Sequence, residues 1–219
     1  MDTFFAQILS CFAKKVLSVL NREQASALLE WAGAQNPGPW TQHSLHVARA
    51  AEAIASRCGM DAGRAWVLGA LHDIGRWEGV RALHHAIAGY RLMMEKGDPG
   101  AARICMTHSF PIADPSVYLG EWDVDEAEYA WTVGYIARCE MDDFDRLIQL
   151  CDAMCLPQGV CLIEKRLIDV ALRHGVLANT PEKWRAVFAI RDQFERRMGT
   201  SIYAPFDEAV SNTFAAPIG

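Results

Sequence analysis

The sequence predicts an all-α protein, and three observations carry that expectation. Apolar residues recur at three- and four-residue intervals along most of the chain, the spacing that lines one face of a helix. Helix starts and stops punctuate it, with Asn, Asp or Thr ahead of these runs and Gly or Pro behind them. Strand signals, whether strict alternation or β-branched runs, are weak throughout.

Taken in order, Phe4, Ile8, Phe12 and Val16 recur every fourth residue, so residues 1–20 read as an amphipathic helix. Asp2 and the Lys14-Lys15 interruption argue against a secretory signal. Asn21 with Gln24 forms a capping box for a helix through Trp31, and Asn36-Pro37-Gly38-Pro39 is a firm break. Thr41 caps a helix to Cys58, stopped by Gly59, with a core face of Leu45, Ala48, Ala51 and Ile54. Asp61 caps the next, whose Trp66, Leu68 and Leu71 lead into His72-Asp73. Helical pattern resumes over about 83–95 and stops at Gly97-Asp98-Pro99-Gly100; a short helix over 101–107 then reaches His108.

Residues 109–123 carry two prolines, a glycine and aromatics of exposed character, and read as a long loop of the kind that forms lids or binding loops. Asp125 and Glu128 open a helix over 126–139, and one over 143–154 is closed by Leu156-Pro157. Residues 161–174 form an amphipathic helix stopped by Gly175. Thr180-Pro181, a cap followed by proline at the first helical position, opens a helix to Met198 and Gly199. The tail from Thr200 is mixed in character, either folded back on the core or mobile. Without repeats or linkers, the expectation is one all-helical domain over 1–219: a centre at about 40–154 with helices 3–34 and 161–198 packed on it.

Composition narrows the function. A chain of 219 residues can bury a substantial core, and an ordinary charged fraction with half the residues hydrophobic excludes disorder. A net charge of −6 argues against non-specific nucleic-acid binding, yet it leaves room for a small anion in a locally basic pocket. No apolar run approaches the roughly 20 residues of a membrane span. The cysteines are odd in number, lack any Cys-x-x-Cys pair and sit mostly in apolar helical stretches, so they read as reduced core residues of a soluble, cytoplasmic protein.

The chemistry concentrates at residues 67–77, Val-Leu-Gly-Ala-Leu-His-Asp-Ile-Gly-Arg-Trp. An imidazole and a carboxylate at the end of an apolar helix are costly to bury unpaired, and both are good ligands for divalent metals. Neighbours on a helix point about 100° apart, so His72 and Asp73 can face one ion only where the helix ends, which Gly75 allows. Asp152 stands in a similarly apolar helix, either buried with a cation or exposed on a narrow polar strip shared with Asp145. His43 alone reads more readily as a satisfied core histidine than as a ligand, with His46 one turn on as a competitor.

His-Asp-Ile-Gly at residues 72–75 resembles the signature doublet of the HD-domain superfamily, metal-dependent phosphohydrolases with an all-helical fold. Further residues follow in the same order: His43 in His-Ser-Leu-His-Val, His85 in His-Ala-Ile-Ala-Gly, His108 after an apolar run, and Asp152 in Leu-Cys-Asp-Ala-Met. The resemblance implies metal ligation by His43, His72, Asp73 and Asp152, selecting His43 over His46. It adds His85, over the alternative His84, and His108 for a second ion, with Asp73 bridging. The cofactor implied is one or two divalent ions of iron, manganese, cobalt, nickel or zinc, since imidazoles with carboxylates suit these better than calcium or magnesium.

Such a pair activates water for attack on phosphorus, with Asp73 and Arg76 as the catalytic candidates. Arg76, Arg91, Lys96 and His46 are the candidates for contacting substrate. The expected partner is a small phosphorylated molecule, a nucleotide or another metabolite, rather than nucleic acid or membrane. A homodimer through the N-terminal helix is also open. Two other readings share these ligands: a di-iron oxygenase, and a non-catalytic nucleotide-binding module.

Overall fold

The computed structural model describes residues 19–215, which form ten α-helices and one short hairpin. They are α1 (Arg22–Gln35), α2 (Trp40–Arg57), α3 (Ala62–Leu71), α4 (His84–Lys96), α5 (Pro99–Thr107), α6 (Glu126–Arg138), α7 (Asp143–Asp152), α8 (Ile163–His174), α9 (Thr180–Met198) and α10 (Ala209–Phe214). The all-α expectation holds. The helix expected over 1–20 lies outside the described residues but for its last two positions, as does Cys11.

Side-chain caps explain most of the starts. The Asn21–Gln24 box closes reciprocally at 2.9 and 3.0 Å, and Asp61, Asp98 and Asp125 each accept the amide three residues on. Two starts differ from expectation. Thr41 does not cap α2, because the Trp40 indole folds back to donate to the Asn36 carbonyl at 2.8 Å and winds Trp40 into the first turn. Thr180 is already helical, its hydroxyl accepting the Leu177 amide at 2.8 Å from the preceding turn.

One hydrophobic core runs from Ala25 and Leu29 of α1 through Ile54, Leu71 and Leu150 to Phe194 and Ala209. Within it α2 and α3 touch backbone to backbone, since a methyl on Gly69 would lie 2.7 Å from the Ala48 Cα. The aromatics of 109–123 are not exposed as expected. Phe110 is fully buried and, with Tyr118 and Trp122 around it, fills a second cluster with Leu83, Ile87, Met106 and Ile136. A loop this long is held by apolar burial because it has few backbone bonds of its own.

α7 stops at Asp152, two residues early, because the chain turns into a two-residue antiparallel hairpin (β1, Cys155–Leu156; β2, Gly159–Val160) that the sequence did not announce. The tail folds back onto it: Ile202 is fully buried, the Tyr203 hydroxyl accepts the Ile163 amide at 2.9 Å, and Asn212 donates to the Val160 carbonyl at 3.0 Å. The six described cysteines are free thiols, four of them buried, and no described helix is long and apolar enough to cross a membrane.

Candidate metal centre

α3 ends at Leu71. His72 keeps helical dihedrals (φ −57°, ψ −35°), and Asp73 leaves them (φ −103°, ψ 12°) as the chain tightens into a 3-10 turn, Ile74–Glu78. That change of winding lets two adjacent side chains face one space. Gly75 contributes differently from the helix-ending role expected of it. Its φ is not positive; a methyl there would instead lie 1.9 Å from the His85 carbonyl oxygen and 2.4 Å from the Gly89 nitrogen. Only a bare backbone lets this turn rest on α4, and that contact seats Asp73 Oδ1 3.1 Å from His85 Nε2.

The start of α4 is held from a distance. No side chain of its own caps it, and Asp123, from the end of the long loop, accepts the amides of Ala82 and His84 at 2.9 Å each. His108, directly after α5, places Nε2 3.3 Å from that of His85 and 3.7 Å from Asp73 Oδ1. On the other side, His43 projects from the buried face of α2 to 3.0 Å from Asp152 Oδ1, which lies 4.0 Å from His72 Nε2. His72 Nε2 is 3.8 Å from Asp73 Oδ2. The structure thus brings together His43, His72, Asp73, His85, His108 and Asp152. Two triads could each hold an ion, His43–His72–Asp73 and Asp73–His85–His108, with Asp73 common to both.

The donor set fits a cation. The Nδ1 atoms of His72, His85 and His108 donate to the carbonyls of Gly69, Ala82 and Cys105, which leaves the lone pairs on Nε2. Burial pushes all three imidazoles below the ordinary histidine range, so they are neutral at pH 7. Burial opposes ionisation of Asp73, but Arg76, whose Nε donates to Oδ2 at 2.6 Å, together with His72 and His85 outweighs it and holds the carboxyl well below its usual range. Neutral lone pairs and a carboxylate therefore converge, and His72 Nε2 and Asp73 Oδ1 have no hydrogen-bond donor. Acceptors pressed together repel unless a positive charge joins them. No thiolate belongs to the set: Cys105 is near, but burial pushes its thiol far up.

Asp145 does not share an exposed strip with Asp152. It is fully buried, takes the Thr107 hydroxyl at 2.6 Å and pairs with Arg103 at 3.0 Å, a structural role at the start of α7.

A cavity of about 470 Å³ opens over the centre, with Asp73, His85, His108 and Asp152 in its lining. Arg76 lines it. Arg91, Lys96 and His46 do not. Six and eleven residues beyond His85, Arg91 and Lys96 are carried away along the α4 axis, at roughly 1.5 Å per residue. Arg91 pairs with Glu128 at 2.8 Å, and Lys96 borders a separate groove beside Leu20 and Trp31. His46 is half-buried near Arg49 and Glu208. Sequence reasoning missed Arg81, Arg166, Arg173 and Lys183, which do line the cavity. The seven-residue spacing of Arg166 and Arg173, which puts both on one face of an amphipathic helix, was the available signal.

Searches of curated proteins and of solved structures found no match. The family model described as HD domain matches residues 40–155, more than half of the chain and a span that contains all six converging residues. With that match and this geometry together, the chain belongs to the HD-domain family.

Proposed function

We propose that this protein is a metal-dependent phosphohydrolase that cleaves a phosphoester of a small metabolite, with two divalent transition-metal ions sharing Asp73. The observation that carries this reading is the disposition of the Asp73 carboxylate. Oδ2 faces His72, whereas Oδ1 faces His85 and His108, so one side chain addresses two separate sets of imidazoles. His43 and His72 with Asp152 would complete the first site, and His85 with His108 the second.

Divalent ions, when bound, supply positive charge toward phosphoryl oxygens and acidify water for attack on phosphorus. The chain supplies the rest. Arg76 uses Nε on Asp73 and presents its guanidinium at the cavity wall, where it can neutralise a phosphoryl oxygen. Asp152, partly open to the cavity, sets Oδ1 3.0 Å from His43 Nε2, so that the two can converge on the first ion. Tyr118 lines the same wall within electrostatic reach of Arg76.

The test is release of phosphate from a panel of small phosphomonoesters and nucleotides, with and without added Mn²⁺ or Co²⁺, alongside elemental analysis. Metal-dependent turnover with two ions per chain, both abolished in Asp73→Ala, is expected. Turnover that survives in Asp73→Ala after the metal is lost would refute the mechanism.

A further inference from the structure

We infer that the cavity is shaped for a phosphoester carrying a second anionic group, held by Arg173 and Lys183 while the phosphoryl group meets Arg76 and the cations that Asp73 would hold. The inference rests on the phosphohydrolase reading and specifies its substrate class. Three observations lead to it.

The first is charge. Five basic side chains line this cavity: Arg76, Arg81, Arg166, Arg173 and Lys183. Arg76 is committed to Asp73, and Arg166 reaches Asp152 only at 3.7 Å. Arg81, Arg173 and Lys183 have no ion pair among the described residues. Of the lining carboxylates, Asp73 and Asp152 belong to the centre and Asp123 is engaged by two amides, which leaves Glu121. A single phosphate, already served by the centre and Arg76, does not account for so many unpaired cations.

The second is position. Arg166 and Arg173 stand seven residues apart on α8, and Lys183 lies in the first turn of α9, where the helix terminus adds its own partial positive charge. The cations act on the same space: after burial, Arg166 and Arg76 weaken the protonated form of Arg173, and the neighbouring His174 is pushed down by burial and then by Arg173, Arg166, Arg76 and Lys183. An anion among them relieves that repulsion.

The third is origin. Both helices lie beyond the 40–155 span shared with the HD domain, so this wall is built by the chain's own C-terminal helices. A cavity of about 470 Å³ is also of a size that takes a metabolite rather than an isolated phosphate.

The experiment is titration calorimetry on the metal-loaded protein with three non-hydrolysable probes: methylphosphonate, phosphonoacetate and methylenebisphosphonate. The two probes with a second anionic group should bind at least tenfold more tightly than methylphosphonate, and their relative order tells a carboxylate from a phosphate as the second group. Because these probes also chelate metal, the decision rests on Arg173→Gln and Lys183→Gln. Each should shrink the advantage about tenfold, the size of one charge-assisted hydrogen bond. Equal binding of all three probes, or an advantage undiminished in both variants, overturns the inference. Should no phosphoester turn over while the advantage and its loss are both seen, the hydrolase reading falls and the anion subsite stands; turnover without the advantage removes the subsite alone.

Discussion

Replacing Gly75 by alanine sets one methyl group against a backbone carbonyl. The added Cβ would lie 1.9 Å from the His85 oxygen and 2.4 Å from the Gly89 nitrogen, whereas ordinary contact begins near 3.4 Å. The 3-10 turn and α4 must therefore part by about 1.5 Å, and neither side has a flexible side chain to yield. Overpacking of this kind costs about 3 kcal/mol, the upper part of its usual range, and for a chain of this length that lowers Tm by roughly 6–12 °C. The displacement falls between Asp73 and His85, now 3.1 Å apart, and far exceeds the roughly 0.2 Å that ligand distances tolerate. The His43–His72 side, carried by α2 and α3, is not on that seam. On the proposed two-ion reading, elemental analysis of Gly75→Ala should accordingly give about one ion per chain against two for the parent, together with a lowered melting curve. A variant that keeps both ions and melts within about 2 °C of the parent would refute the close-packing argument.

Other consequences follow from the same geometry. Arg76→Gln should keep its metal and lose about 10²- to 10³-fold in kcat, as expected when one donor to developing charge is removed; steady-state turnover within about twofold of the parent would contradict that role. Asp98 is fully buried, bidentate with Arg64 at 2.6 and 2.7 Å, and accepts the amides of Leu20 and Ala101. Asp98→Asn strands the Arg64 charge and should cost about 3–5 kcal/mol in urea unfolding, with metal stoichiometry unchanged in the folded protein. Acidification should destabilise: His72, His85 and His108 titrate below 6.5 when folded and near 6.5 when unfolded. The unfolded chain thus binds more protons below that pH, and protons also compete with metal for the same lone pairs. Tm should hold between pH 8 and 7 and fall below about 6.5 as metal is released; a Tm that rises on acidification would reverse the sign.

Helix starts were the most legible part of the fold where a capping side chain acts within three residues of itself, as at Asn21, Asp61 and Asp125. Thr41 and Thr180 misled because each has the right side chain but lies past the cap, by two positions and one, a matter settled by a Trp40–Asn36 bond and a Leu177–Thr180 bond. The hairpin after Asp152 has too few residues to show any alternation. The aromatics of 109–123 looked exposed because prolines and a glycine surround them. Their burial depends on α4 and α6 arriving from elsewhere in the chain.

By itself the sequence determined the helical class, the apolar faces and the donor types gathered around His72-Asp73, since periodicity, capping and ligand chemistry operate over a few residues. Tertiary structure alone decided which residues meet. His43 and Asp152 are 109 positions apart yet 3.0 Å apart in space. Arg91, near His85 in sequence, is swept off along its helix, while Lys183 arrives at the cavity from α9. The physical reason is that burial of apolar faces sets the distances between helices, and a charged residue is carried wherever its helix is packed.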